Sequence, residues 1–265
     1  MAYTTINKFT DYFNTKLYTG NGGTQALTGV GFQPDWVWMK YRDDTYGHRL
    51  LDSVRGATKE IYSNNDGAET TTATSLTSFD SDGFTLGSSS GVNHNSGTYV
   101  SWNWKAGTTG SGTTGGSGTY KTYNYSVNTT AGFSIVKYLG NGTAGHTIPH
   151  HLGAVPKMIM VKRIDSQNNW TVYHAAQGNT HGSYLDTTAA QVDSDAFWND
   201  TTPTSSVFTL GNGASVNNSS GTYIAYCFAE KTGYSKCGKY VGNQDADGTF
   251  VYTGFKPQFI FFKQY

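Results

Sequence analysis

The stretch Gly153-Ala-Val-Pro-Lys-Met-Ile-Met-Val-Lys162 decides the fold, because the chain contains its pattern three times. The other copies are Gly31-Phe-Gln-Pro-Asp-Trp-Val-Trp-Met-Lys40 and Gly254-Phe-Lys-Pro-Gln-Phe-Ile-Phe-Phe-Lys263. Four large apolar residues in a row are too few for a helix core and are typical of a strand buried on both faces. Proline fits at the entrance of such a strand, and the closing lysine marks its return to water. The three copies predict three copies of one β-domain.

A second landmark has nearly the same spacing. Tyr-x-Gly-Asn begins at Tyr18, Tyr138 and Tyr240, and Asn-Gly is typical of a tight turn after a strand. From copy to copy the tyrosines lie 120 and 102 residues apart, and the prolines of the first pattern 122 and 101. Two landmarks that agree within two residues indicate a true repeat.

The end of each complete copy is a closing strand. Gly97-Thr-Tyr-Val100 matches Gly221-Thr-Tyr-Ile224, and the residues that follow alternate in polarity. This alternation predicts a core that contains Val100, Trp102, Trp104, Ile224, Tyr226 and Phe228. Short strands between turn signals predict an all-β protein of tandem β-sandwich domains, jelly-roll or lectin-like, with two complete and a third begun.

The repeat divides the chain into four parts. We expect a first sandwich at 1–106, a Gly/Ser/Thr-rich linker at 107–130, a second sandwich at 131–230 and the start of a third at 231–265. Residues 107–119 consist only of Gly, Ser and Thr, which predicts a flexible tether. The third copy stops after its first buried strand, so either the protein continues or this segment completes another subunit.

Composition limits the function. Aromatic residues reach 15%, charged residues only 14%, and 18 basic side chains balance 18 acidic ones. Without a basic field we expect no nucleic-acid binding. We also expect no membrane insertion, no secretory signal peptide and no cofactor. For Cys227 and Cys237 free thiols are expected, with a local bridge as the alternative.

Metal and catalytic sites are not expected. His146, His150 and His151 lie close in sequence, but they lack further ligands nearby, so we interpret them as solvated turn residues. Asp80-Ser-Asp82-Gly and Asp245-Ala-Asp247-Gly resemble calcium loops, yet no glutamate stands at the twelfth position, which favours hairpin turns. We find no nucleophile elbow and no carboxylate pair, and predict no enzyme.

Aromatic surface remains as the candidate for function. Loop aromatics beside neutral hydrogen-bonding groups suit sugars and subunit packing. The candidate binding residues are Tyr46, His48, Trp170, Tyr173, His174 and Trp198, with Phe197 next to them. For Phe197 and Trp198 the alternative is that they cap the sandwich core.

With these repeats the chain resembles a recurrent domain of phage virion proteins. The resemblance is carried by four segments: Thr10-Asp-Tyr-Phe-Asn-Thr-Lys-Leu-Tyr-Thr-Gly-Asn-Gly22, Asp52-Ser-Val-Arg-Gly-Ala-Thr58, Phe197-Trp-Asn-Asp-Thr201 and Ala225-Tyr-Cys-Phe-Ala-Glu230. Phages of marine bacteria and cyanobacteria encode such domains, often in tandem within tail-fibre-like proteins. His146 and His151 depart from the pattern.

The resemblance implies a structural protein of the virion, assembled in the host cytoplasm as part of a tail fibre or similar appendage. Its partners would be other virion proteins and a host-surface glycan, and a fibre implies a homo-oligomer, namely a trimer. A capsid- or tail-decorating protein is the alternative, and a carbohydrate-active enzyme module is the distant third. The resemblance carries no catalytic residues.

Overall fold

The computed structural model describes residues 4–264, and its regular secondary structure consists almost wholly of antiparallel strands, which confirms the all-β prediction. After a 3-10 helix at Phe9–Asp11, the first unit contains β1 Phe13–Thr19, β2 Gln25–Leu27, β3 Trp36–Tyr41, β4 Arg49–Asp52, β5 Lys59–Tyr62, β6 Thr70–Thr71, β7 Leu76–Asp80, β8 Gly83–Leu86, α1 Ser90–Asn93 and β9 Thr98–Trp104. No helix of residues 4–264 has the length and apolar character needed to cross a membrane.

The second unit follows a similar order, with three strands added at its start and a short helix in place of β7. It contains β10 Thr108–Thr113, β11 Gly115–Gly116, β12 Thr122–Asn128, β13 Phe133–Leu139, β14 His146–Pro149, β15 Met158–Arg163, β16 Thr171–His174, β17 His181–Tyr184, β18 Val192–Asp193, α2 Asp195–Trp198, β19 Val207–Leu210, α3 Ala214–Asn217 and β20 Thr222–Phe228.

Each unit is a sandwich of one large and one small sheet. The large sheets have the orders β1-β9-β3-β4-β5-β6 and β10-β12-β13-β20-β15-β16-β17-β18, and the small sheets β2-β8-β7 and β11-β14-β19. In both units the closing strand, β9 or β20, lies between the two strands that carry the repeated landmarks. Val37 and Met39 face the first sandwich core, and Ile159 and Val161 face the second.

The outer faces of the two large sheets pack against each other and form a third core between the units. Trp36 lies at its centre, 1% exposed, with its ring 4.5 Å from those of Trp104 and Tyr226. Met160 and Ile224 enter this core from the second unit. The repeated apolar strand is therefore buried on both faces, as predicted, because each unit covers the outer face of the other.

Polar contacts accompany this packing. The Tyr226 hydroxyl donates to Asp52 Oδ2 at 2.7 Å, and the Arg55 guanidinium pairs with the same carboxylate; all three side chains are buried. Burial acts to lower the pKa of Arg55, but Asp52, Tyr226 and Glu69 together outweigh it, and the pKa is raised. A buried ion pair with a third partner tolerates little displacement, so it sets the register of the two units.

Lys162, the last residue of the repeated pattern in the second unit, also connects the two units. Lys162 Nζ donates to the backbone oxygens of Asp66, Arg163 and Asn168 at 3.0, 2.9 and 2.7 Å. Its side chain is fully buried, so the expectation that this lysine marks a return to water is wrong. Three carbonyl acceptors replace the water that the ammonium group loses. Asp66 belongs to the first unit, and Lys162 thereby joins the two.

The predicted flexible tether is an ordered edge of the second unit. Thr108–Thr113 pairs with Thr122–Asn128, and that strand continues into the large sheet. Gly110 stands opposite Tyr125 and Gly112 opposite Tyr123, and a Cβ at either glycine would lie 2.6 Å from the tyrosine hydroxyl. The glycines provide space for tyrosine rings to lie across the strand, a role that composition alone does not reveal. The domain limits themselves stay a prediction.

Burial of the six closing-strand residues is graded. Val100, Trp104, Ile224 and Tyr226 are buried, whereas Trp102 and Phe228 are half-buried. The opposite face is buried too, with Tyr99 and Tyr223 at 0% exposure. The predicted core face is thus the face between the units, and the tyrosines of Gly-Thr-Tyr face the sandwich cores.

The third copy does not form its predicted buried strand. Residues 239–264 contain no strand, and Ile260 and Phe262 are 68% and 74% exposed. Phe259 instead packs on the first unit, with its ring 5.3 Å from that of Trp104.

We predict that the two units unfold together and that Tyr226→Phe destabilises both. The change removes a buried donor to the Asp52 carboxylate and should lower the free energy of unfolding by about 2 kcal/mol. Urea denaturation followed by tryptophan fluorescence and by circular dichroism measures this. Tyr120→Phe, at a side chain 58% exposed, is the matched control and should leave the midpoint unchanged. Two separate transitions would contradict the shared core.

Candidate functional site

A cleft lies where the two units and the C-terminal segment meet, and we call it the aromatic cleft. Its volume is about 920 Å³. It is lined by Trp38, His48, Ser63, Asn64 and Trp102 of the first unit, Leu185 to Thr188 of the second, and Gln258 to Phe261. The cleft lies at the edge of the contact between the units, where the second unit does not cover the tryptophan-bearing face.

Aromatic rings form one wall of the cleft. The rings of Trp38 and Trp102 are 6.3 Å apart and nearly perpendicular. Phe259 lies 5.6 Å from Trp102, and Phe261 lies 6.1 Å from Trp38. Such a wall offers flat apolar faces, which can pack against the C–H groups on the face of a saturated ring in a ligand.

Neutral polar groups stand beside these rings. The Trp38 indole N–H donates to His48 Nδ1 at 2.9 Å, which places the proton of the neutral imidazole on Nε2. Burial, and to a smaller extent Lys40, lowers the pKa of His48, so the ring stays uncharged at neutral pH. Exposed Asn64 and Thr188 add amide and hydroxyl groups at the rim. The cleft therefore combines aromatic faces with neutral donors and acceptors.

Asp186 is the one carboxylate among the described residues that line the cleft. Its Oδ1 accepts the backbone N–H of Trp170 at 3.1 Å. Burial raises the pKa of Asp186, and the hydrogen bond from Trp170 acts against that rise. The carboxylate serves the backbone of β16 and adds an acceptor close to the cleft.

One of the six predicted binding residues lines this cleft, namely His48. Tyr46 is 39% exposed but stacks on Tyr41 away from the cleft, and half-buried His174 ends β16 on another side of the second unit. Neither the cleft nor any other described pocket brings these residues together.

The three other predicted binding residues are buried, which excludes them from a surface site. Trp170 is 0% exposed and donates its indole N–H to the Tyr62 carbonyl at 2.8 Å across the contact between the units. Tyr173 and Trp198 pack together in the second sandwich core, their rings 5.7 Å apart. Phe197 and Trp198 thus follow the alternative of capping the core.

Sequence reasoning missed Trp38, Trp102, Phe259 and Phe261 as cleft residues, because the patterns assigned all of them to strand cores. A signal was nevertheless present. All four tryptophans of the first unit fall on its outer face, where the second unit has Met158, Met160, Tyr226 and Phe228. This excess of tryptophan distinguishes the outer face of the first unit from the corresponding face of the second.

The clustered histidines are not solvated turn residues. His146 is fully buried and its ring nitrogens lie 3.0 Å from Asn217 Oδ1 and 2.7 Å from Thr114 Oγ1. His150 is also buried, while His151 stacks on Tyr125 at 3.7 Å. The sequence missed their burial because His146 occupies an inward position of β14. Within residues 4–264 no set of three or more His, Cys, Asp or Glu side chains is arranged to hold a metal ion.

The first of the calcium-like sequences forms the predicted hairpin turn, whereas Asp245-Ala-Asp247-Gly lies in a bend with no strands beside it. Asp80 and Gly83 close the β7–β8 hairpin, and the Asp82 carboxylate accepts the backbone N–H groups of Gly29 and Gly31 at 2.9 and 2.6 Å. These hydrogen bonds, of which Gly29 makes the larger contribution, lower the pKa of Asp82. Cys227 and Cys237 are free thiols in the structure.

The chain belongs to the family described as Domain of unknown function (DUF7483), whose sequence model matches residues 8–265. A search of curated proteins and a search of solved structures found no match.

We predict a loss of stability at acidic pH that depends on His150. Its Nδ1 accepts the Leu152 N–H at 3.2 Å and its Nε2 donates to the Thr204 carbonyl at 3.1 Å; the first of these hydrogen bonds needs the neutral ring, because a protonated Nδ1 cannot accept. Burial lowers the pKa of His150 from 6.5 to about 4. Between these pH values the unfolded chain binds more protons than the folded one. The free energy of unfolding therefore decreases as the pH is lowered, by about 3 kcal/mol for this site.

Chemical denaturation, repeated from pH 7.5 to pH 4 in steps of about half a pH unit, measures this dependence. His150→Asn keeps an acceptor for Leu152 but does not titrate, so its stability should fall less steeply than that of the unaltered protein. Equal slopes for the two proteins would contradict the assignment.

Proposed function

We propose that this protein is a structural component of a bacteriophage virion that binds a host-surface glycan in the aromatic cleft. The cleft itself carries the glycan part of the proposal: two tryptophans and two phenylalanines stand beside the neutral imidazole of His48 and the side chains of Asn64 and Asp186. The virion part is supported by the resemblance of the repeats to those of marine phage fibre proteins.

The chemistry of the cleft favours a neutral sugar over a charged ligand. A pyranose ring presents C–H groups on its faces and hydroxyl groups at its rim, which match aromatic faces and neutral donors or acceptors. Trp102 is half-buried and held between Trp38 and Phe259, so it is already oriented before a ligand arrives. Preorganised aromatic side chains lose little conformational entropy on binding.

We propose binding without hydrolysis. Glycosidases place two carboxyl groups on opposite sides of the scissile bond. The cleft offers Asp186 alone among its described lining residues, and this side chain is engaged with the Trp170 backbone. Incubation of the pure chain with host polysaccharide followed by reducing-end analysis tests this, and release of sugar would favour the enzyme-module alternative.

The second candidate is a decorating protein of the capsid or tail. It is favoured by the apolar side chains that the C-terminal segment exposes, including Val241 and Phe250, both 85% exposed. Surfaces of this kind pack on other proteins. Immunogold labelling or cryo-electron microscopy of virions separates the candidates, since copies spread over the capsid lattice would contradict an appendage. Ultracentrifugation tests the proposed homotrimer.

We predict that Trp102→Ala weakens glycan binding at least tenfold, because it removes one aromatic face of the cleft. A tenfold change corresponds to about 1.4 kcal/mol, the range expected for a buried aromatic contact. Binding is measured on an array of immobilised bacterial surface polysaccharides and confirmed by calorimetry with each ligand found. Circular dichroism checks that the fold is kept.

Tyr120→Ala is the matched control, because Tyr120 is an exposed aromatic residue outside the cleft lining. Its affinity should equal that of the unaltered chain. If no polysaccharide binds, or if both variants lose binding equally, the cleft is not the glycan site.

A further inference from the structure

Two side chains at equivalent positions of the repeat line the aromatic cleft, one from each unit. Asn64 and Asp186 are 122 residues apart, the same spacing as that of the first two repeated prolines. Asn64 Oδ1 accepts the backbone N–H of His48 at 3.0 Å, and Asp186 Oδ1 accepts that of Trp170 at 3.1 Å. His48 and Trp170 are equivalent by the same spacing. Both units therefore make the same backbone contact, the first with an amide and the second with a carboxylate.

The second polar atom of each side chain is not used by the fold. Neither Asn64 Nδ2 nor Asp186 Oδ2 makes a hydrogen bond to another residue among residues 4–264. Asn64 is exposed and Asp186 is half-buried. An amide nitrogen can only donate a hydrogen bond, and a carboxylate oxygen can only accept one. The cleft thus presents a donor from the first unit and an acceptor from the second.

His48 adds a second donor beside Asn64. Its Nδ1 accepts the indole N–H of Trp38 at 2.9 Å, which leaves the proton of the neutral ring on Nε2. Within residues 4–264 this Nε2 has no hydrogen-bond partner. The residues that correspond to Trp38 and His48 in the second unit are Met160 and Trp170. The sandwich fold therefore does not require the pair, which is special to the cleft.

A secondary amide matches donors from one unit and an acceptor from the other. The amide is planar and trans, so its C=O and N–H groups point in opposite directions. A hydroxyl group donates and accepts at a single oxygen atom, and its two hydrogen-bonding sites do not point in opposite directions. On a sugar ring the corresponding group is an acetamido substituent, whose methyl group also suits the aromatic wall.

We propose that the aromatic cleft selects sugars that carry an acetamido group, the N-acetylhexosamines. The carbonyl oxygen accepts from Asn64 Nδ2 and His48 Nε2–H, and the amide N–H donates to Asp186 Oδ2. The methyl group and the pyranose ring pack on Trp38 and Trp102. This inference rests on the proposed binding of a glycan in the cleft, and it names the class of sugar.

Sugars without the acetamido group leave these polar atoms unpaired. Polar groups that lose water and gain no partner cost free energy, so a site of this kind discriminates against an analogue that lacks the matching group. A free amine is also poorly matched. Its ammonium group has no acceptor for the hydrogen bonds of Asn64 and His48. The charges of Asp186 and of the Lys162 ammonium group, moreover, already attract each other.

The test measures binding of the full chain to monosaccharides that differ in one substituent and are coupled to a soluble polymer. N-acetylglucosamine is compared with glucose and glucosamine, and N-acetylgalactosamine with galactose and galactosamine. In at least one series the acetamido sugar should bind about tenfold more tightly than both of its relatives, because these leave the donors and the acceptor unpaired. Surface plasmon resonance measures the affinities.

Each unit supplies the conservative variant for the other. Asn64→Asp and Asp186→Asn both keep the Oδ1 atom that accepts the backbone N–H, so the fold should be kept, and circular dichroism checks this. Asn64→Asp removes a donor from the cleft, and Asp186→Asn removes the acceptor. Each should weaken binding of the acetamido sugar about tenfold and change binding of the parent hydroxyl sugar little.

Asn65→Asp is the matched control. Asn65 is exposed, does not line the cleft, and its Oδ1 accepts the backbone N–H of Gly67 at 3.0 Å, a contact that aspartate keeps. The substitution adds the same negative charge next to Asn64. It should therefore leave the affinity for the acetamido sugar unchanged.

The possible outcomes separate this inference from the proposed function. Equal affinity for the three sugars of both series, tighter binding of the free amines, or acetamido binding unaffected by Asn64→Asp and Asp186→Asn would overturn the selectivity. If glycans without acetamido groups bind and Trp102→Ala weakens that binding, the proposed function stands while the selectivity falls. If no sugar or polysaccharide binds, both fall.

Discussion

The structure depends on the packing of two large sheets through faces that, in an isolated sandwich, would be exposed to water. Trp36 and its neighbours fill this contact, and the Asp52, Arg55 and Tyr226 side chains set its register. Breaking the contact would expose several large aromatic surfaces and a buried ion pair at once, so neither unit is independent of the other. The aromatic cleft exists because this contact ends before the tryptophan-bearing face does. The contact between the two units thus determines both the fold and the position of the cleft.

Much of the fold could be predicted from repetition and polarity. In the two complete units the four-residue apolar runs correctly predicted strands with both faces buried, and the turn signals predicted the all-β class. What covers the outer face was not encoded in either unit alone, because Trp36 is covered by residues such as Phe133 and Tyr226, about 100 or more positions away. The glycine-rich segment was misjudged for a related reason: Gly110 and Gly112 acquire their role only from the tyrosines opposite them.

The candidate site was harder to predict. Aromatic residues in loops were taken as exposed, but Trp170, just before β16, and Tyr173, within it, are both buried in cores. Conversely, Trp38 and Trp102 belong to strands yet line the cleft, since the outer face of the first unit is only partly covered. Burial at the margin of a contact is a property of tertiary geometry. Local pattern records which face of a strand is apolar and does not record where the covering partner ends.

Because each large sheet has an apolar outer face, sandwiches of this kind conceal these faces when they occur in even numbers. A single sandwich of this kind presents a tryptophan-rich sheet to water, and two sandwiches conceal each other's sheets. The smallest unit that conceals these faces is therefore the pair, and Phe259 of the C-terminal segment packs on a part of the first unit's face that the second unit leaves uncovered. Duplication of such a domain therefore conceals its outer faces in steps of two.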